Sequence, residues 1–329
     1  MEDKISVIIP CHNVEGLLNK CYQSLVRQTF GFERLEIILV YDQSDDMTLS
    51  EMEVLKQRYP KQTVLISGDE KRQGPSITRN KGLEAASSEY IAYVDADDIC
   101  DLHMLEQLYF ALKEYDCDYA ECGYRLFSKE SELSPLEATS KFSFYDLTVI
   151  NQKKELMLRA ANKTAVWGRL FKKAFLTDNQ IDFLDSMYGE DVYHTALSVI
   201  YAKRYCVTEQ PLYSYYRNEQ GIVFSAYNSM KMRHSRMVIE RLLGELRERC
   251  IYDTLMAKYG KEFEFFCICK LFYDPVFRII HETLQQDVAL EDIMFFKDAV
   301  TDIFPSAGKN PYIEQCSGEI KAIFELLNE

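Results

Sequence analysis

Asp95-Ala96-Asp97-Asp98 closes a short apolar run, Tyr90-Ile91-Ala92-Tyr93-Val94. Three carboxylates in four residues suit a hard divalent cation, which prefers oxygen ligands, and they suit the hydroxyls of a sugar. The run before them has the character of a strand covered on both faces, as in a parallel sheet. Carboxylates are not packing residues, because burying unpaired charge is costly. In open α/β sheets, ligands collect outside the carboxyl ends of the strands. A carboxylate cluster at a strand exit therefore reads as a site. The plainer alternative is a solvated acidic turn capping a helix that starts near Leu102, with Asp98 and Asp101 as the caps.

The elements that deliver this tetrad are legible upstream. Ile5-Ser6-Val7-Ile8-Ile9-Pro10 is a strand ended by proline, and Leu17, Leu18, Cys21, Leu25 and Val26 follow at helical spacing. Glu36–Val40 is a second apolar strand with Tyr41-Asp42 at its exit, and Thr63–Ser67 is a third. Gly74-Pro75-Ser76-Ile77-Thr78-Arg79-Asn80-Lys81-Gly82 then leads to a helix over Leu83–Ala86, and the fourth strand carries the tetrad. Strand and helix alternate as in a parallel sheet.

Composition bounds the class. The 329 residues are 47% hydrophobic, enough for one large domain and a smaller one. No run reaches the ~18 apolar residues of a membrane-crossing helix, and Met1-Glu2-Asp3-Lys4 leads straight to a strand, so the expected location is cytoplasmic. The ten cysteines are scattered without C-x-x-C spacing, which predicts reduced core thiols rather than zinc ligands or disulfides. A net charge of −14 argues against a nucleic-acid partner and against broad adhesion to anionic membrane. An anionic ligand would then need a bound cation, or basic groups such as Arg79, Lys81, Arg169 and Arg217.

Five segments in order carry a resemblance: S-V-I-I-P-C-H-N at 6–13, E-I-I-L-V-Y-D-Q-S-D-D at 36–46, G-P-S-I-T-R-N-K-G at 74–82, Y-V-D-A-D-D at 93–98 and G-E-D-V-Y at 189–193. A weaker pair, W-G-R-L-F at 167–171 and P-L-Y-S-Y-Y-R at 211–217, also sits in order. The chain resembles an inverting, nucleotide-sugar-dependent glycosyltransferase of family 2 over roughly residues 4–225. The resemblance implies the GT-A fold, a Rossmann-like, mostly parallel central sheet flanked by helices.

What the resemblance implies for single residues follows. Asp97 is the ligand of Mn²⁺ or Mg²⁺, and Asp95 faces the ribose or the metal's water shell. The cation neutralises the leaving diphosphate, so no protonated acid is needed there. Pro10 and His12 lie along the nucleoside. Asp42 accepts a hydrogen bond from uracil, which implies a UDP-sugar donor. Tyr41 replaces an aspartate usual in the family, and its ring could flank the base. Arg79 and Arg217 reach the base or diphosphate, Arg217 as part of a lid. Asp191 is the base that takes the acceptor's proton, with Glu190 beside it. Trp167 walls the sugar or acceptor pocket. His234 is a remote candidate to complete the metal shell. The bland alternatives are a turn aspartate at 42, a helix-face arginine at 79, an acidic helix start at 190–191 and core packing at 167.

From about Asn228 the texture changes. Met237, Leu242, Leu243 and Leu246 are periodic, and Phe265, Phe266, Ile268, Leu271, Phe272, Phe277 and Ile279 crowd one stretch. The expected division is a catalytic domain over 1–227 and a helical C-terminal extension over 228–329. The extension's aromatics either form ordinary core or offer a surface to an acceptor, a second subunit in a homo-oligomer, or the inner face of a membrane. The acceptor class stays open among glycan, lipid-linked and protein hydroxyls. Two other functions fit the sequence less well. A sugar-nucleotide pyrophosphorylase would carry a Gly-rich loop where Pro10-Cys11-His12-Asn13-Val14-Glu15 stands. A non-catalytic partner or scaffold would not need Asp95, Asp97 and Asp191 together.

Overall fold

A computed structural model describes residues 3–68, 71–134, 136, 141–185, 187–217, 229–282 and 290–328. In chain order the early elements are β1 (Ile5–Cys11), α1 (Leu18–Val26), β2 (Leu35–Tyr41), α2 (Thr48–Arg58), β3 (Thr63–Ile66), α3 (Pro75–Ala85), β4 (Tyr90–Tyr93), β5 (Ile99–Cys100) and α4 (Met104–Glu114). Next come β6 (Tyr119–Glu121), β7 (Tyr124–Phe127), β8 (Ser143–Asp146), α5 (Ile150–Ala160), β9 (Arg169–Lys172), α6 (Lys173–Asp178), α7 (Glu190–Tyr201), β10 (Arg204–Val207) and β11 (Tyr213–Tyr216). The C-terminal part is helical: α8 (Ser229–Glu248), α9 (Tyr252–Ile268), a π turn (Cys269–Tyr273), α10 (Asp274–Glu282), α11 (Leu290–Ile303), α12 (Pro311–Glu314) and α13 (Gly318–Glu325).

The main sheet has the order β3-β2-β1-β4-β9-β6-β10-β8. The pairs β2/β3, β1/β2, β1/β4 and β6/β10 are parallel, while β9 runs antiparallel to both β4 and β6. The four expected strands are present, with ends that differ by a residue. All four residues of β4 are buried, as a strand covered on both faces must be. The strand order turns back between β1 and β4, so their carboxyl ends flank a topological switch point. A second sheet, β5-β11-β7, follows the tetrad.

Two local expectations are corrected. The helix expected over Leu83–Ala86 already starts at Pro75, where the fixed φ of proline favours a first turn. The glycine motif is therefore part of α3. The helix expected near Leu102 starts at Met104 behind His103, without a side-chain cap. Gly82 lies inside α3, where it presses on β1. A Cβ there would lie 2.3 Å from Ile8 Cγ2. Gly82→Ala is expected to lower stability by about 1–3 kcal/mol through overpacking. A denaturant midpoint equal to wild type would show that α3 has room to shift.

The described chain forms two compact units. The first is Met1–Thr148, Ala165–Ser186 and Ile200–Asn218, and it holds both sheets. The second is Val149–Thr164, Met187–Val199 and Glu219–Glu329. It therefore takes in α5 and most of α7 along with the C-terminal helices. The 227/228 boundary expected from sequence lies outside the described residues.

The aromatics of the second unit pack within it. Phe272 is fully buried, Phe265 lies 5.7 Å from Tyr312 and 6.0 Å from Phe324, and α5 packs against α9. Its buried acid Glu262 is satisfied by the Tyr312 hydroxyl and, at 3.0 Å, by Lys154. Eight of the ten cysteines are buried and all ten are free thiols. No helix among the described residues is long and apolar enough to cross a membrane.

Candidate active site

The loops leaving β1 and β2 are laced together. Asn13 and Val14 donate their amides to Ser44 Oγ at 3.0 Å and Thr48 Oγ1 at 2.9 Å. Glu15 and Gly16 donate theirs to Asp46 and Glu51, each at 3.0 Å. In return, Asn13 Oδ1 accepts from the Asp45 amide at 2.9 Å. His12 Nδ1 lies 2.8 Å from the Gln43 carbonyl, so the imidazole ties the two loops. Pro10 is half-buried at the end of β1, beside Val40 of β2. The Tyr41 hydroxyl accepts from the Ser44 amide at 2.9 Å, which folds this side chain onto its own loop.

Asp42 is 3% exposed and bonds both carboxylate oxygens to backbone: the Gln73 amide at 2.6 Å and the Gly74 amide at 2.9 Å. These amides precede α3, where the helix dipole favours negative charge. Asp42 is thus the anchor of the α3 start, a sharper role than that of a turn aspartate. An ionised carboxylate has about four lone-pair sites, so two bonds do not exhaust it.

The tetrad divides its labour. Asp95 Oδ1 is 2.9 Å from Arg79 Nη2. Arg79 is only 4% exposed and lies with its guanidinium 5.3 Å from the Phe183 ring. It reaches into the fold toward Asp95 rather than out from a helix face. Asp98 is fully buried and accepts from the Tyr213 hydroxyl at 2.6 Å and the Tyr216 amide at 2.7 Å. It clamps the tetrad to β11 and caps no helix. Asp101, the other expected cap, accepts from the His103 amide at 3.1 Å, just ahead of α4. The Tyr213 hydroxyl also accepts from the Asp95 amide at 3.1 Å. Trp167 is stacked 4.5 Å from Tyr213 and 5.4 Å from Tyr215, so it braces the brace. The sequence motif P-L-Y-S-Y-Y-R contains Tyr213, whose role its pattern alone does not announce. The alternation of Tyr213 and Tyr215 on one face of a strand was the available signal.

Asp97 is left for a ligand. Among the described residues its carboxylate accepts no hydrogen bond from another residue. Burial, and then the Asp95 charge, push its pKa up to about 6. A crowded carboxylate raised in this way is the group a divalent cation would relieve. No cluster of three or more His, Cys, Asp or Glu forms a closed cage among the described residues. That donor set fits Mn²⁺ or Mg²⁺ held by one or two carboxylates, with substrate phosphates and water completing the shell.

Arg169 is removed from the basic groups available to a donor. Its Nε is 2.8 Å from Glu121, and both side chains are buried. Burying the pair is tolerable only because each satisfies the other. Lys81 donates to Gln73 Oε1 at 2.9 Å. Arg217 is exposed just after β11, and its amide donates to the Phe127 carbonyl at 2.8 Å. Residues 218–228, which follow it, lie outside the described residues. Glu190 and Asp191 are half-buried in the first turn of α7, in the second unit. Thus Pro10, His12, Asp42, Arg79, Asp95, Asp97, Trp167 and Arg217 all belong to the first unit, while Glu190 and Asp191 belong to the other.

Comparison with known proteins bears on this geometry. The model of glycosyl transferase family 2 matches residues 6–167. The uncharacterized glycosyltransferase YibD of Escherichia coli is 29% identical over 222 residues, 67% of this chain and 63% of that protein. A poly(ribitol-phosphate) beta-glucosyltransferase of Bacillus spizizenii is 30% identical over 215 residues, 65% of this chain and 32% of that protein. The chain thus spans under two thirds of the length of either relative. The structure of Staphylococcus aureus TarS 1–349 in complex with UDP-GlcNAc aligns with a TM-score of 0.69 at 20% identity, covering 98% of this chain and 89% of that one. That likeness shows the expected GT-A fold with its helical C-terminal region. The matched segment runs from β1 to Trp167 and contains the whole tetrad, so residues 6–167 form a glycosyl transferase family 2 domain.

Proposed function

We propose that this protein is a metal-dependent, inverting glycosyltransferase that moves a sugar from a nucleoside-diphosphate donor, a UDP-sugar, to an acceptor hydroxyl. The observation that carries the reading is the tetrad at the β4 exit. Asp95 is held by Arg79, Asp98 is tied to β11, and Asp97 is crowded and, among the described residues, takes no bond from another residue. Asp97, with Asp95, would hold a Mn²⁺ or Mg²⁺ ion. The bound ion supplies charge neutralisation for the departing diphosphate. Asp191 takes the proton of the acceptor hydroxyl as its oxygen bonds the anomeric carbon, and the bond to the diphosphate oxygen breaks with its electron pair. Glu190 and Trp167 shape the acceptor side. Pro10 and His12 line the nucleoside, and Arg217 approaches the diphosphate. The C-terminal helices do no chemistry themselves. The relative named for poly(ribitol-phosphate) supports a polymeric, hydroxyl-bearing acceptor in polysaccharide synthesis, and in this proposal the work is done in the cytoplasm. Release of UDP from UDP-glucose or UDP-GlcNAc, with and without Mn²⁺, tests the whole. A protein that binds neither UDP nor these donors would be the scaffold instead.

The uridine preference rests on Asp42. A remaining lone pair of Asp42 is to accept from the uracil N–H. Wild type is expected to bind UDP at least about tenfold more tightly than GDP or CDP, the worth of roughly one good hydrogen bond. Asp42→Asn, which keeps one acceptor oxygen for the α3 start, should shrink that margin more than it weakens diphosphate affinity. Equal calorimetric affinities for UDP and GDP in the wild type would remove Asp42 from base recognition.

A further inference from the structure

Tyr188 stands immediately before Gly189-Glu190-Asp191, and three basic side chains of the C-terminal helices converge on it. His234 of α8 accepts the Tyr188 amide hydrogen on Nδ1 at 3.0 Å. Arg278 of α10 donates from Nη1 to the Tyr188 phenolic oxygen at 2.9 Å. The Lys231 ammonium lies 5.1 Å from the centre of the Tyr188 ring. Backbone, ring and hydroxyl are thus each held by a different residue. All four residues lie in the second unit with the acidic pair.

The next residue shows why such a grip matters. Gly189 has φ +87, a left-handed conformation natural only to glycine. A Cβ there would lie 3.9 Å from Val238 Cγ2, one helical turn beyond His234 on α8. The turn therefore sits against α8, and its direction sets where α7 and Asp191 begin. The Val192 amide bonds to the Gly189 carbonyl at 3.0 Å, which passes that direction into the first helical turn.

We propose that His234 is a positioning residue for Asp191. It acts through the Tyr188 amide, with Arg278 and Lys231 holding the same tyrosine. The inference rests on the reading of Asp191 as the base. An Nδ1 that accepts an amide hydrogen carries no proton of its own, so the ring hydrogen sits on Nε2. Nδ1 is then committed to the turn and Nε2 carries the hydrogen, so this tautomer offers no lone pair to complete a metal shell. The helices after β11 thereby gain a part in the reaction: they touch no reacting atom, but they fix the carboxylate that does.

The chemistry of the contact supplies its own control. Asn Oδ1 stands as many bonds from Cα as His Nδ1 and is also an acceptor. His234→Ala, His234→Asn and Asp191→Asn are made in the full chain. The readout is UDP release from UDP-GlcNAc or UDP-glucose in Mn²⁺, with water as acceptor, alongside UDP affinity by calorimetry. His234→Ala is expected to lower kcat roughly 10- to 100-fold, the cost of an ångström-scale misplacement. UDP affinity should stay within about twofold, since the contact acts on the acceptor's base, whose interaction is gained in the transition state. His234→Asn should recover to within about threefold of wild type by restoring the acceptor. Wild-type kcat in His234→Ala, with Asp191→Asn impaired, would overturn the positioning role alone. Equal damage in His234→Ala and His234→Asn would also overturn it, because packing and not the hydrogen bond would be at work. Full activity in Asp191→Asn would overturn the reading of the base, and this inference with it.

Discussion

Asp97→Asn is expected to abolish metal-dependent UDP binding and to lower UDP release from a UDP-sugar by about 10³-fold or more, as loss of a bound cation's several kcal/mol implies. The substitution keeps size and removes the charge. Among the described residues, Asp97 is the member of the tetrad whose carboxylate accepts no bond from another residue, whereas Asp95 has Arg79 and Asp98 has Tyr213 and the Tyr216 amide. An Asn at 97 would also relieve the crowding that raises this carboxyl. The metal-free variant should therefore be no less stable than wild type, which separates loss of the site from loss of the fold. Thermal shift supplies the second readout. Mn²⁺ with UDP at about a hundred times Kd should stabilise the wild type by about 2.7 kcal/mol, and the variant by nothing. Full wild-type turnover in EDTA, or unchanged Mn²⁺ binding in Asp97→Asn, would place the cation elsewhere or nowhere.

The second large effect concerns the proton. Asp191→Asn should cut UDP release by roughly 10²-fold or more, the usual consequence of deleting a general base. Donor affinity should hold within about twofold, because a base on the acceptor side gains its contact in the transition state. Calorimetry showing that Asp191→Asn no longer binds UDP would make this residue part of the donor site. The bland alternative, an acidic residue favoured only by the α7 dipole, predicts a loss of helix stability below about 1 kcal/mol and unaltered turnover.

Much of this arrangement was legible before any coordinates, for a definite reason. β1, β2, β3 and β4 are short apolar runs between helical patterns, and period and length alone identify them. The tetrad stood out because three charges at the end of a buried strand have no packing role. What stayed hidden was pairing at long range. Tyr213 and Asp98 are 115 residues apart in sequence, and no local pattern announces their bond. The same holds for Arg79, whose burial against Asp95 and Phe183 depends on how α3 lies in the first unit. Arg169 looked like a donor-binding cation because its partner Glu121 sits on a strand paired with β9, far off in the chain. β9 itself was recognised only as the motif W-G-R-L-F. It is a short strand that runs antiparallel between β4 and β6, in a sheet whose alternation argued for parallel neighbours. Helix α3 was placed too late because a glycine-rich stretch reads as a breaker, yet Gly82 is there to let the helix approach Ile8.

The discontinuity of the second unit has a consequence for how the protein is made. Its three stretches, Val149–Thr164, Met187–Val199 and Glu219–Glu329, leave the ribosome at well-separated times. α5 buries Leu156, Met157 and Ala160 and packs against α9, yet it is synthesised long before that partner exists. At ordinary elongation rates the delay is on the order of ten seconds. During it the nascent chain presents an amphipathic helix with an uncovered apolar face, a natural handle for chaperones and a hazard at high expression. The arrival of α9 thus governs the yield of a chain whose α5 is made long before it.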